Sequence, residues 1–258
     1  MIASKRRLYI LDQLAEKGVI SIKETAQALE TSEITIRRDF EKLEKEGSLK
    51  RVQGGAASNQ ENMVNESAEL TVRKKKFLNI HEKNCLAPTA ADYIKEGDCV
   101  FIDSGTTMIP LAKLLAKKKI IIVTNNNLLL PEIPDPVAEI FVIGGKYIPM
   151  YSMNVGVEAQ RELETFVFDW AFLGCAGINL DNTDIYTSEM ESLIIKHIVL
   201  EKSTSSVLLL DSSKLQKKAY VRMASTDDID YILCNDDPIL QNKKLPKNFI
   251  VIKENTAQ

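Results

Sequence analysis

The chain has 258 residues, of which 45% are hydrophobic, and a formal net charge of −3. That length exceeds what one small domain needs, so two folded parts are expected, and the apolar share is ample for a packed core. The mild acidity excludes binding to a polyanion through bulk charge, and no apolar run approaches the roughly 18 residues of a membrane-spanning helix.

The first fifty-odd residues predict three short helices and a hairpin. Leu8, Leu11 and Leu14 give a first amphipathic helix closed near Gly18. Ser21 is placed to cap a second, with Ile22, Ala26 and Leu29 on one face and Glu24 at capping-box spacing. Ser32 is placed to cap a third, whose Ile36, Phe40 and Leu43 recur at i, i+4 and i+7, and Gly47 ends the run. Thr35, Arg37 and Arg38 lie off that stripe, where a reading helix presents side chains to a DNA groove. Lys50 and Arg51 follow on an extended segment closed by Gly54-Gly55, a wing suited to phosphate contact. Residues 1–56 hold 11 basic and 9 acidic side chains, so DNA affinity must come from a focused face and depend strongly on salt.

Thr35-Ile36-Arg37-Arg38-Asp39, Leu43-Glu44, Gly47 and Gly54-Gly55-Ala56 resemble the winged helix-turn-helix of DeoR-type (DeoR/GlpR) transcriptional regulators. The resemblance implies a sequence-specific repressor that binds double-stranded operator DNA as a homo-oligomer, a dimer or tetramer. Ser32, Thr35, Arg37, Arg38, Lys50 and Arg51 are its expected DNA-binding residues.

Domain boundaries are expected at 1–56 for the winged helix, 57–82 for a linker and 83–258 for an α/β domain. Residues 57–72 are rich in Ser, Asn and Glu, and Arg73-Lys74-Lys75-Lys76 then reads as a solvated helix start. Beyond it, helices near 83–95, 107–117, 156–165 and 189–202 alternate with short apolar runs. Those runs are 99–103, 120–123, 140–143, 170–173, 207–210 and 231–234. They lack hydrophobic/polar alternation, as strands buried on both faces do, and predict a mostly parallel sheet covered by helices.

Small hydrogen-bonding residues follow these runs. They are Asp103-Ser104-Gly105-Thr106-Thr107, Thr124-Asn125-Asn126-Asn127, Gly144-Gly145-Lys146, Gly174-Cys175-Ala176-Gly177 and Asp211-Ser212-Ser213-Lys214. Open α/β sheets bind ligands at the carboxyl ends of their strands, and the Ser-Gly-Thr-Thr turn before a helix suits an anion. Each turn also has an ordinary structural reading, as a helix cap, a tight turn or a surface lysine.

These turns match, in order, motifs of the DeoR-type C-terminal sensor domain, which is similar in fold to ribose-5-phosphate isomerases and glucosamine-6-phosphate deaminases. The resemblance implies a phosphorylated sugar or polyol effector. Gly105, Thr106 and Thr107 would hold its phosphate, Asn125 and Asn126 would meet its hydroxyls, and Lys214 would add positive charge. Asp103, Ser104, Gly144, Gly145, Gly174 and Glu189 complete the expected site. One departure stands out: where many members carry an acid one turn before a lysine, this chain has Ser192 before Lys196, with Glu189 and Glu191 at other offsets.

Cys85, Cys99, Cys175 and Cys234 show no C-x-x-C pairing, and His81 and His197 have no ligand spacing, so neither a metal nor another cofactor is expected. No signal-peptide pattern appears, and a cytoplasmic location without membrane contact is expected. The expectation is a regulator rather than an enzyme. Two alternatives stay open: a sugar-phosphate isomerase or deaminase using Asp103, Glu189 or Glu191 as base, and a DNA-binding protein whose second domain only oligomerises.

Overall fold

The computed structural model describes residues 3–17, 19–45, 48–57, 72–241 and 243–253. The helix-ending Gly18 and Gly47, residues 58–71 of the expected linker and the side chains of Arg73 and Lys74 lie outside them. The chain divides into two compact units, Met1–Leu78 and Asn79–Gln258.

In the first unit, α1 (Ala3–Lys17), β1 (Val19–Ser21), α2 (Ile22–Ala28), α3 (Glu33–Lys45), β2 (Lys50–Val52) and β3 (Gly55–Ala57) precede a short α4 (Val72–Lys75). Its core gathers Ile10, Leu14, Ala26, Leu29, Ile36, Phe40 and Leu43 around Leu49 and Ala56. The buried stripe of α1 therefore runs through Ile10 and Leu14; Leu8, expected on it, is only partly covered. Ser21 caps α2 by accepting from the Glu24 amide at 3.4 Å. The strands form a sheet in the order β1-β3-β2, antiparallel throughout. Gly55 has to be glycine here, because a Cβ would sit 2.2 Å from the Ile20 carbonyl oxygen.

The second unit begins with α5 (Ile80–Ala91), β4 (Cys99–Ile102), α6 (Met108–Leu115), β5 (Ile121–Thr124) and β6 (Glu139–Val142). A hairpin of β7 (Lys146–Ile148) and β8 (Met153–Val155) leads to α7 (Val157–Leu163) and β9 (Phe168–Leu173). Then come β10 (Gly177–Asn179), β11 (Asp184–Thr187), α8 (Met190–Lys202), β12 (Ser203–Leu210), β13 (Val221–Ser225), β14 (Tyr231–Asn235) and β15 (Phe249–Ile252). Seven strands form a parallel sheet in the order β15-β14-β12-β9-β4-β5-β6. A second, antiparallel sheet has the order β10-β11-β13.

Both faces of the central strands are buried, which explains their unbroken apolar runs, whereas the edge strand β6, expected to be buried on both faces, leaves Phe141 38% exposed. Phe101 and Val123 face the layer of α7 and α8, with Ala159, Leu163, Ile195 and Val199. Their neighbours Val100, Ile102 and Ile122 face α5 and α6, with Leu86, Ala90, Met108 and Leu111. Each fully buried large side chain contributes about 1.5–3 kcal/mol.

The expected elements are present with shifted ends. α5 starts at Ile80, inside the expected linker, and ends at Ala91 rather than 95. The strands β1, β7, β8, β10, β11, β13 and β15 were not expected; β1, β7, β8 and β10 have three residues each, too few for a periodic signal.

Candidate functional site

In the first unit, α3 is organised by its cap and its acids. The Thr35 amide donates to Ser32 Oγ at 3.2 Å, and the two hydroxyls meet at 2.9 Å. Ser32 thus fixes the start of the helix. Arg37 and Arg38 are exposed. Arg37 has only a loose pair to Glu33 at 3.9 Å, and no hydrogen bond or ion pair of Arg38 is found among the described residues. One turn before Arg38 stands Ile34, 65% exposed. Sequence patterning passed over Ile34 because it lies off the core stripe, but an apolar side chain there can meet a thymine methyl.

Asp39 is buried in α3 and forms an ion pair with Arg6 of α1, with Arg7 Nε at 3.7 Å. Arg51, expected on phosphate, instead reaches back onto α3. Its Nε donates to Glu44 at 2.8 Å, its Nη1 to Glu41 at 3.0 Å, and its backbone amide to Glu44 at 3.0 Å. Lys50, beside it on β2, is exposed.

In the second unit, the strand order reverses between β4 and β9, so the crevice for a ligand lies past their carboxyl ends. Asp103, completely buried, stands there. The Gly174 amide donates to Asp103 Oδ2 at 2.9 Å, and Lys196 of α8 forms an ion pair with the same carboxylate. Lys196 Nζ also donates to the Gly174 carbonyl at 2.9 Å. Gly174 is therefore held through both its amide and its carbonyl. Sequence reasoning missed Lys196, looking at the residues before it rather than at the lysine itself.

The turn Ser104–Thr107 leads directly into α6. Gly105 has φ of +118°, and a Cβ added there would meet no atom within 4 Å, so this side of the turn is open. Thr106 is buried, and Ser104 and Thr107 are half-buried. In the first turn of α6 the Ile109 amide donates to the Thr106 carbonyl at 3.3 Å and Pro110 has no N–H, so an anion there would meet the amides of Thr107 and Met108.

Asn125 and Asn126 are both fully buried. Asn126 Nδ2 donates to the Asp103 and Gly105 carbonyls at 3.1 and 3.0 Å, and its Oδ1 accepts from Leu128. That side chain binds the turn together, which leaves it no donor for a sugar hydroxyl. Asn125 Nδ2 donates to the Asn154 carbonyl, while its Oδ1 has no hydrogen-bond partner among the described residues.

Gly144 and Gly145 serve packing. The Gly144 amide donates to Glu162, and a Cβ on Gly145 would lie 2.5 Å from the Val155 carbonyl. Glu189 stands at the N-cap position of α8 without a side-chain capping bond and is half-buried, whereas Glu191 is bonded to Lys146 at 2.8 Å. Asp211 accepts from Asn79 Nδ2 at 2.7 Å and from Ser213 N. Lys214, in the following turn, is half-buried, and among the described residues its ammonium has no hydrogen-bond or ion-pair partner. Its charge is felt by the Cys175 thiol, which burial pushes up to about 12 while Lys214 and Lys196 pull the other way. No group of three or more His, Cys, Asp or Glu side chains able to hold a metal occurs among the described residues.

Two family models match: the DeoR-like helix-turn-helix domain over residues 6–62 and the DeoR C terminal sensor domain over residues 78–236. An uncharacterised HTH-type regulator of Bacillus subtilis, YulB, is 30% identical over 95% of this chain and 96% of its own. The lactose phosphotransferase system repressor of Lactococcus lactis is 33% identical over 83% and 84%. The regulator GlpR of Haloferax volcanii is 29% identical over 90% of each. Among solved structures, ribose 5-phosphate isomerase A of Methanocaldococcus jannaschii covers 54% of this chain and 56% of its own, at 16% identity and a TM-score of 0.41, a partial likeness from which no function follows. With both models matched in order and relatives alike along nearly the whole chain, this protein belongs to the DeoR family of DNA-binding transcriptional regulators.

Proposed function

We propose that the protein represses carbohydrate-metabolism genes from the cytoplasm, and that a phosphorylated sugar or polyol bound in its second unit alters its affinity for operator DNA. The observation that supports this most directly is the open Gly105 turn at the start of α6, beside the Asp103–Lys196 pair at the point of strand reversal. The Thr107 and Met108 amides at that helix start suit phosphate, and Lys214 adds charge from the turn after β12. The operator-binding form is a homo-oligomer, since two-fold operators mirror protein symmetry. Regulation requires that the ligand bind the two DNA-affinity states unequally.

An enzyme reading is less well supported. Asp103, the leading candidate base, is fully buried and already charge-paired, and the relatives carry regulator names. The test is thermal unfolding with a panel of sugar and polyol phosphates, their unphosphorylated parents and inorganic phosphate. A ligand at a hundred times its dissociation constant adds about 2.7 kcal/mol. The stabilising compound should then shift operator binding. Stabilisation by no phosphorylated compound, or turnover of one at enzyme-like rates, would sink the proposal.

A further inference from the structure

The wing carries a basic residue where phosphate contact was expected, but its donors point elsewhere. Glu41 and Glu44 lie three residues apart on α3 and so share a face. Arg51 grips both: Nε and the backbone amide take the two oxygens of Glu44, and Nη1 takes Glu41. The Glu44 carboxyl is held below its ordinary value, first by that backbone amide.

β2 is the edge of the wing sheet, so an outward amide there would otherwise have no strand partner. Glu44 supplies the acceptor. Exposed ion pairs usually contribute little, because two flexible chains must be held still. Here the main chain anchors one end, and the planar guanidinium spans two carboxylates as a lysine cannot.

The same arrangement recurs at Asp39, which Arg6 and Arg7 engage from α1. The carboxylates in the second half of α3, which would repel DNA phosphates, thus face arginines from neighbouring elements.

We propose that Arg51 is a positioning residue of the DNA-binding unit: it straps the wing to α3 through Glu41 and Glu44, and acts on DNA affinity through where it holds β2 rather than by touching phosphate. The proposal rests on DNA binding by this unit, which wild-type binding to the probe checks first. The probe is the tightest duplex that the full-length wild-type protein selects from a randomised library, titrated across a range of potassium chloride concentrations.

Arg51→Lys keeps the charge but cannot make the fork, and should weaken binding about fivefold, as much as Arg51→Gln. The slope of log affinity against log salt should stay at the wild-type value in both. Glu44→Gln should also weaken binding, although it removes a negative charge near DNA, and should add little to Arg51→Gln in the double variant. The exchanged pair Arg51→Glu with Glu44→Arg should recover part of the loss. A direct phosphate contact predicts the opposite pattern: near-normal Arg51→Lys, tighter Glu44→Gln, and a slope reduced by about 0.9 in Arg51→Gln. That pattern overturns the proposal, as does unchanged affinity in all three single variants.

Discussion

Asp103 and Lys196 stand 93 residues apart in sequence and meet as a buried ion pair that holds Gly174 through its amide and its carbonyl. The lysine is 3% exposed and the carboxylate not at all, so neither charge has water to fall back on. Three segments, the ends of β4 and β9 and the helix α8, are tied at one point.

Removing one partner should therefore be costly. Lys196→Met is expected to destabilise the second unit by about 3–5 kcal/mol, because it strands a buried carboxylate. The double variant Asp103→Asn with Lys196→Met should recover much of that loss. Urea unfolding measures both, and a Lys196→Met protein of wild-type stability would show that the pair is not buried in solution.

On α3, Arg38→Ala should reduce operator affinity by about 1–3 kcal/mol if the guanidinium reads a base edge, with ligand-induced stabilisation of the second unit unchanged. Ile34 offers a separate test. Replacing operator thymines one at a time by deoxyuridine removes a methyl, and at one position the wild type should lose about 0.8 kcal/mol. Ile34→Ala should be indifferent at that position. Equal sensitivity of both proteins at every thymine would remove Ile34 from the interface.

Two glycines should answer differently to alanine. Gly105 has a positive φ but open space around a Cβ, so Gly105→Ala should cost about 1–2 kcal/mol from backbone strain alone. Gly145 combines φ of +111° with a Cβ position 2.5 Å from the Val155 carbonyl and 3.3 Å from Ala159 Cβ. Strain and overlap together make Gly145→Ala cost about 2–5 kcal/mol. Denaturant midpoints rank the two, and the reverse order would contradict the packing described.

The thiols set an alkaline limit. Burial, helped by Asp169, pushes Cys99 up to about 11, and burial pushes Cys175 up to about 12, against an ordinary 9.0. A folded state that holds the proton longer than the unfolded one has this stability in full below pH 9. The contribution is lost as pH rises from 9 toward 11 and 12. Melting temperature should fall over that range, and less steeply in Cys175→Ala. At pH 8 the folded Cys175 thiolate fraction is on the order of one in ten thousand, so alkylation should be slow until the protein unfolds. Fast labelling of native Cys175 would refute the burial of its sulfur.

The sequence made some parts of this protein readable and concealed others for definite reasons. Ile36, Phe40 and Leu43 announced α3 because a helix buries every third or fourth residue, and all three are in the core. The apolar runs announced a sheet covered on both faces. Strand ends carrying Asp103 and Gly174 were legible as a group, since the turns share a composition. The partners of those side chains were not. Nothing local to Lys196 points to Asp103, and nothing in Lys50-Arg51-Val52 shows that the wing folds back over Glu41 and Glu44. Asn126 looked like a ligand contact by composition, but its amide holds the turn it belongs to. Side-chain direction is set by long-range pairing, which residue type does not encode.

The sheet order has a consequence in time. β4 pairs with the central strand β9, encoded far downstream, and the outer strand β15 is not complete until Ile252. The sheet of the first unit, by contrast, is closed at Ala57 by pairings nearer in sequence than that of β4 with β9. Local contacts form quickly and distant parallel ones slowly. At about 5–20 residues per second, synthesis leaves on the order of ten to forty seconds between the two. For that interval each new molecule carries a folded helix-turn-helix ahead of a sensor sheet that is still incomplete.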